Sequence, residues 1–332
     1  MTHLFVINPI SFLNKGAMRA IMAEIETCFA GKDAGNCFVH VSRYPRDAMV
    51  IIRKYLADIP ETQTVRVYAV GGDGILFDCL NGIAGIPNAE LASVPYGNGN
   101  DFVRAFGENK NSLFRDIQLQ TNSPSIPVDI IHCGTRYALN FCTVGLESDA
   151  IMTSIALYNS VAGKIRKFRR LNFLAYTLLF YMGGVKAVLN RRILNQRYEI
   201  TVDGEDMSGV YGAVNIANGP CYGGDKNPVM TAMPNDGVLD ALFFRCGSSL
   251  RAMTLIGAYV RGGCLQLPKK YFTWKRLRKI DIRSDEPLLV DLDGETFFDT
   301  AITVEIIPAG IRFVSPGGMR FCKRMDADEH NG

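Results

Sequence analysis

The sequence predicts two units, an α/β unit built on a parallel sheet followed by a mainly-β sandwich. Three observations carry this. From Leu4 to Asp101 strand-like and helix-like runs alternate. Beyond Pro124 the helical period recedes and short apolar runs are parted by turn pairs such as Asp203-Gly204 and Asp293-Gly294. The chain has 332 residues, more than one ordinary hydrophobic core organises.

Taken in order, Leu4–Ile7 is a short apolar run closed by Asn8-Pro9, and Ala17–Ala30 repeats apolar residues at helical spacing. Cys37–Val41 reads as strand, and Asp47–Leu56 as helix with an acid at its start. Val65–Val70 is rich in β-branched residues and ends in Gly71-Gly72-Asp73-Gly74, with helix over Leu76–Ile83. Leu91–Pro95 is strand again, before Gly97-Asn98-Gly99-Asn100-Asp101 and a further helix. Strands joined by helices are parallel, with right-handed crossovers, and their ligands sit at the carboxyl ends of the strands. The second unit takes strands at Ile126–His132, Tyr137–Thr143, Tyr198–Val202, Val210–Asn218, Gly237–Phe244, Lys279–Arg283, Leu288–Leu292 and Ala301–Ile307. Two helical stretches interrupt it, Ser148–Leu189 and Ser249–Arg261. The expected division is a nucleotide-binding unit over 1–125, a substrate unit over 126–315, and a tail over 316–332 that partly returns to the first unit or frays.

Composition narrows the functional classes. Thirty-six Lys and Arg against 33 Asp and Glu leave a net charge of +3, which gives no case for a nucleic-acid partner. Nine cysteines include no Cys-x-x-Cys pair, so neither a disulfide framework nor a zinc site is expected, and a cytoplasmic setting fits. The first residues lack the pattern of a secretion signal, and no uncharged apolar run is long enough to span a bilayer.

Three strand ends carry the chemistry. Gly71-Gly72-Asp73-Gly74 lets backbone approach a phosphate without a Cβ in the way, and the helix behind it offers unpaired N–H groups. Asp73 itself would repel phosphate unless a metal ion, a lysine or a donor meets it. Gly97-Asn98-Gly99-Asn100-Asp101 repeats the device at the next strand. Asn8, Pro9 and Ser11 open the loop that comes first in the chain, with Lys15 placed to neutralise phosphate or hold Asp73 and Asp101. Neither a Walker A loop nor a G-x-G-x-x-G fingerprint is present. Taken singly, each loop also reads as a tight turn, and Asp293-Gly294 is a favoured hairpin turn.

Together these motifs resemble the diacylglycerol kinase catalytic-domain family, which includes bacterial lipid kinases, sphingosine kinases and ceramide kinases. Asn8-Pro9-x-Ser11, Gly71-Gly72-Asp73-Gly74 and Gly97-x-Gly99-Asn100-Asp101 follow its order. Gly223-Gly224 with Asn235-Asp236-Gly237-Val238-Leu239-Asp240, and Asp293-Gly294-Glu295, continue it into the second half. The resemblance implies an NAD kinase/diacylglycerol kinase-like fold with the active site between its units, and ATP and Mg²⁺ as cofactors. It places Asn8, Pro9, Ser11, Lys15, Ser42, Gly71, Gly72, Asp73, Gly74, Ile75, Leu76, Phe77, Gly97, Asn98, Asn100 and Asp101 around the nucleotide. Glu295 falls at the proton acceptor, with Asp293 and Asp73 as its catalytic partners. Met233, Asp236 and Val238 fall at a second cation site. Phe12, Ile75, Asp78 and Asn98 depart from the family's usual Gly, Thr, Glu and Thr or Ser.

The acceptor implied is a lipid hydroxyl, with diacylglycerol the default for a chain of this size. Lys164–Arg170 holds five cations in seven residues before the apolar run Leu171–Val185, a pattern suited to an anionic membrane surface. Trp274 with Lys275, Arg276, Arg278 and Lys279 is a second such patch. Peripheral membrane contact is therefore expected, and a homodimer is left open. The alternatives are a kinase for soluble NAD⁺, which shares Gly-Gly-Asp-Gly, and a non-catalytic lipid-binding relative.

Overall fold

The computed structural model describes all residues except 13–14, 108–109, 166–177, 180–181, 222, 224–228, 230 and 323–332. Four parallel strands form the first unit: β1 (Thr2–Ile7), β2 (Cys37–Val41), β3 (Val65–Gly71) and β4 (Ala89–Pro95). Their order is β2-β1-β3-β4, so the direction of winding reverses beside β1. Crevices for ligands open at such a reversal. β3 and β4 are buried along their whole length, which suits their mostly apolar composition, and the two charged residues they carry, Arg66 and Glu90, pair with each other at 2.8 Å. Helix α1 (Lys15–Cys28) covers one face through Ile21 and Ile25. Helices α2 (Asp47–Ala57) and α3 (Asp73–Ile83) cover the other through Ile52, Leu76 and Leu80. Three short helices follow: α4 (Asp101–Arg104), α5 (Asn111–Arg115) and α6 (Ile117–Asn122).

The second unit is antiparallel. Its strands are β5 (Ser125–Cys133), β6 (Arg136–Ala138), β7 (Phe141–Gly145), β8 (Gln196–Val202), β9 (Glu205–Asp206), β10 (Gly209–Tyr211), β11 (Ala213–Ala217), β12 (Leu239–Phe244), β13 (Phe272–Leu277), β14 (Lys279–Leu292) and β15 (Glu295–Val314). Helices α7 (Leu146–Ile165), α8 (182–189), α9 (Arg191–Leu194) and α10 (Ser249–Val260) pack around it. Among the described residues no helix is long and apolar enough to cross a membrane.

Several elements differ from the sequence expectation for local reasons. The run Tyr137–Thr143 is two strands, because the amides of Leu139, Asn140 and Phe141 are taken by the Asp293 carboxylate. Val210–Asn218 divides at Gly212, where the chain leaves β8 as partner for β7 and β12. Lys279–Leu292 is one strand, with a register shift between Arg283 and Leu288. β13 was not expected at all. β15 is the longest strand, at 20 residues. It begins against β14, runs along β5, and ends parallel to β4 through Arg312 and Phe313. The sandwich is thus sewn to the parallel sheet by its last strand. Ile311 and Phe313 lie in the same core as Leu76 and Phe102, and Phe321 joins them.

Candidate active site

The three phosphate-type loops meet at the carboxyl ends of β1, β3 and β4. Contact between the second and third is so close that only glycine fits. A Cβ on Gly97 would lie 2.4 Å from the Cα of Gly72, and one on Gly99 would lie 2.6 Å from Asp73 Oδ2. The Gly71 carbonyl accepts from the amides of Tyr96 at 2.7 Å and Gly97 at 3.2 Å. The first loop joins from the side, where the Phe12 ring lies 4.9 Å from that of Tyr96.

Asp73 does not face outward. Its two carboxylate oxygens accept from the backbone amides of Asn100 (2.8 Å) and Asp101 (2.7 Å). The donors that make this acid tolerable are therefore the neighbouring loop's own N–H groups. The side chain of Lys15 lies outside the described residues. Asn100 takes a left-handed conformation (φ 52°) and closes its loop by exchanging hydrogen bonds with Gly97. Asp101 Oδ2 accepts from the Gly223 amide at 2.6 Å, which ties the loop to the second unit. Gly224 lies outside the described residues.

The remaining nucleotide candidates divide by orientation. Asn8 caps the short turn Pro9–Ser11 by accepting from the Ile10 amide at 3.1 Å. Ser42 sits at the end of β2, its amide bonded to the Ile7 carbonyl. Asn98 is exposed in its loop, and Gly74 is exposed in the first turn of α3. Ile75, Leu76 and Phe77 bury their side chains in the two cores, so only their backbone can meet a ligand. That also gives a physical reason for an apolar residue at position 75.

The Asp293-Gly294 pair is a hairpin turn and more. Asp293 (φ 48°) and Gly294 (φ 90°) join β14 to β15, with Leu292 opposite Glu295. The Asp293 carboxylate accepts from the amides of Leu139 (2.6 Å), Asn140 (3.0 Å) and Phe141 (2.9 Å). Burial pushes its pKa up to about 6 against those bonds, and the charge of Asp101 adds to the rise. Asp73 is raised too, by burial first, with the charge of Asp293 adding to it. Glu295 is raised by burial, and Arg46 pulls the other way. The fold thus gathers carboxylates from both units into one place.

Arg46 was not singled out by the sequence. It precedes α2 in a left-handed conformation (φ 70°). Its guanidinium donates to Asp78 Oδ1 at 2.7 Å and to Glu295 Oε2 at 2.7 Å, and lies 4.9 Å from the centre of the Phe77 ring. Asp78 also accepts from the Arg46 amide at 3.2 Å. One arginine therefore fixes the Glu295 carboxylate from across the junction. Two residues before Asp293, Asp291 is fully buried, and its Oδ1 has no hydrogen-bond partner among the described residues. Burial holds its carboxyl well above the usual range.

The proposed cation turn is differently engaged. Asp236 pairs with Arg276 and accepts from the Val238 amide at 3.3 Å, while Met233 packs against the core. Of the basic patches, 166–170 lie outside the described residues, as does much of the apolar run that follows. In the second patch the Trp274 indole donates to Asp240 at 2.7 Å, Lys275 and Arg276 pair with Glu205 and Asp236, and Arg276, Arg278 and Lys279 are exposed.

Residues 2–133 match the diacylglycerol kinase catalytic domain, and residues 158–315 match the YegS C-terminal NAD kinase beta sandwich-like domain. A Staphylococcus haemolyticus protein named as a lipid kinase is 26% identical over 259 residues, 75% of this chain and 76% of the relative. A Staphylococcus aureus Mu3 protein with the same description is 25% identical over 262 residues, with the same coverage. A crystal structure of a diacylglycerol kinase from Bacillus anthracis superposes with a TM-score of 0.66, at 20% identity, over 95% of this chain and 97% of that one. Likeness at that identity speaks to the fold.

Proposed function

The chain belongs to the diacylglycerol kinase catalytic-domain family of lipid kinases, and from that premise we propose that it moves the γ-phosphoryl group of ATP to the free hydroxyl of diacylglycerol, giving phosphatidic acid. The observation that carries this reading is the meeting of the two glycine loops, held by Asp73, with Glu295 at the same junction. Loop amides at the ends of β3 and β4 are the donors suited to phosphate oxygens.

Glu295 is the base. A lipid hydroxyl is a poor nucleophile, so its proton passes to Glu295 Oε as the oxygen attacks the γ-phosphorus and ADP departs. Arg46 is a positioning residue, holding Glu295 as a carboxylate with its free oxygen toward the acceptor. Asp293 does not touch the reacting atoms in this reading; it fixes the 139–141 backbone beside them. Mg²⁺ is held largely by nucleotide phosphates with one or two carboxylates. Among the described residues no group of three or more His, Cys, Asp or Glu is placed to hold a metal by itself, so a phosphate-bound ion would be met here by single carboxylates, Asp73 or Asp101, where the charge of Asp293 adds to that of Asp73. When bound, the ion neutralises phosphate charge. Met233, Asp236 and Val238 remain a proposed second cation position, at which a cation takes the place of the Arg276 guanidinium.

Contact with an anionic membrane fits the surface near α8, where Met182, Val185 and Leu189 are exposed on spacings of three and four. The test is transfer of label from γ-labelled ATP to a lipid panel in mixed micelles, with NAD⁺ as soluble control. Label in diacylglycerol, lost in Asp73→Ala and Glu295→Gln, is the expected result. Label in NAD⁺ alone would overturn the lipid acceptor, and label in another lipid would replace diacylglycerol.

A further inference from the structure

Far from Glu295 lies a second basic feature of a different kind. A cleft of about 410 Å³ opens between the end of β12 and the start of β13, at the first turn of α10. Arg245, Arg251 and Lys270 line it, together with Tyr271 and Gly247. Strand register puts it at the opposite edge from the catalytic carboxylates. Phe244 is level with Ala213 and Gly145, whereas the Asp293 turn is bonded to Phe141. Four residues of strand separate the two, about 13 Å.

The three cations are held without acids. Arg245 donates to the Tyr211 hydroxyl at 2.7 Å and to Thr273 Oγ1 at 2.8 Å, with its guanidinium 4.4 Å from the Tyr211 ring centre. Arg251 donates to the Cys246 carbonyl at 3.2 Å and lies 5.5 Å from the Tyr271 ring. Lys270 approaches the same ring from 5.0 Å. Among the described residues no carboxylate comes within ion-pair reach of any of them, whereas Lys275, Arg276, Arg192 and Arg46 all have one. The first turn of α10 carries no acid either, and Ser248 caps it. Tyrosine-held guanidiniums keep their donor edges pre-set, the geometry that suits a phosphate group. Beside Arg251, α10 exposes Leu250 (75%) and Met253 (44%) one turn apart. Those apolar side chains fit acyl chains below a headgroup better than a dissolved anion.

We propose that this cleft binds the phosphate headgroup of an anionic phospholipid in the membrane, seating the sandwich on the bilayer independently of the catalytic site. The test is co-sedimentation of the full chain, without ATP, on phosphatidylcholine vesicles with and without phosphatidic acid. Each cation near such a surface is worth a factor of about five, so Arg251→Gln with Lys270→Gln should weaken binding to the anionic vesicles roughly 25-fold. Leu250→Ser should weaken binding as well, while inorganic phosphate should not displace the protein. Unchanged vesicle binding in the double variant would overturn the proposal. So would equal displacement by inorganic phosphate, which would make this a site for a soluble anion. Kinase turnover in neutral detergent micelles reads the catalytic proposal separately and should be the same in wild type and double variant.

Discussion

Replacing Arg46 by glycine separates what that residue does for the fold from what it does for the base. The backbone gains, since a non-glycine residue in the left-handed region costs roughly 1–2 kcal/mol. The Asp78 side chain loses a charge-assisted hydrogen bond worth about 1.5–3 kcal/mol, although the position-46 amide remains to it. A net destabilisation of about 1 kcal/mol follows, a shift of roughly 1–2 °C in Tm for a chain of 332 residues. At Glu295 the effect is electrostatic. Opposite charges about 4 Å apart attract by about 1 kcal/mol in water and about 4 kcal/mol at an effective dielectric of 20. The Arg46 and Glu295 side chains are 37% and 39% exposed, which puts the pair near the lower figure. One kcal/mol is about a fivefold change in the ionised fraction. Glu295 already sits above the ordinary carboxyl range through burial, and losing Arg46 raises it further. A base must be ionised, so activity is lost as pH falls through that value. The acid limb of kcat/KM should therefore move to higher pH in Arg46→Gly, with about fivefold less activity on the limb and an unchanged plateau. Arg46→Lys, which keeps the charge, should restore most of the limb. The assay is lipid phosphorylation in mixed micelles across the acid range, beside a thermal melt. A folded glycine variant whose limb coincides with wild type would refute Arg46 as the residue that positions and charges Glu295.

Glu295→Gln should lower kcat by about 10²–10⁴-fold while nucleotide affinity by calorimetry stays within a factor of two or so, because only the proton acceptor is removed. Gly97→Ala should weaken nucleotide binding more than tenfold and lower Tm, since its Cβ would meet the Gly72 backbone at 2.4 Å and neither strand end can yield. Asp291→Asn concerns stability against pH. A carboxyl raised by folding favours the native state below its unfolded value, near 3.9, and that advantage is lost as pH rises through the folded value. Wild-type Tm should therefore fall over that interval, and the asparagine variant should show a flatter profile with equal or higher Tm at neutral pH; a parallel pair of profiles would exclude a protonated Asp291.

What the sequence displayed and what it hid differ by physical kind. β1, β3 and β4 were legible because buried parallel strands are written as mostly apolar runs, here closed by Asn8-Pro9, Gly71-Gly72 and Pro95. β13 was not, because Phe272-Thr273-Trp274-Lys275-Arg276-Leu277 lies at a sheet edge where only its two end residues are buried, so no alternation is written in it. Its cations were legible as a surface patch, but that Lys275 and Arg276 pair with Glu205 and Asp236 could not be read from their spacing. The role of Asp73 was half legible: the need for a donor could be argued from charge, but not that the donors are amides 27 and 28 residues away. Arg46 left no local trace at all. Its partner is 249 residues distant, and the only hint was a bulky residue between Pro45 and the helix start.

β15 bears on how the molecule can be taken apart. It opens at Glu295 and closes beside β4, crossing a register shift between Ile307 and Ile311 where Ala309 adopts φ 50°. Asp129 bonds the Ala309 amide at 2.7 Å and the Gly237 amide at 2.7 Å, clasping that irregular stretch. A chain truncated after α6 would leave β4 as a bare, largely apolar edge, an invitation to pair with another copy. The first unit is therefore not separable by cutting between the units in sequence; its sheet is completed only by β15, from the far end of the chain. The clasped irregularity thus lies on the one strand that begins at Glu295 and ends against β4, so the distance between that carboxylate and the first unit's strand ends is set along a single piece of chain.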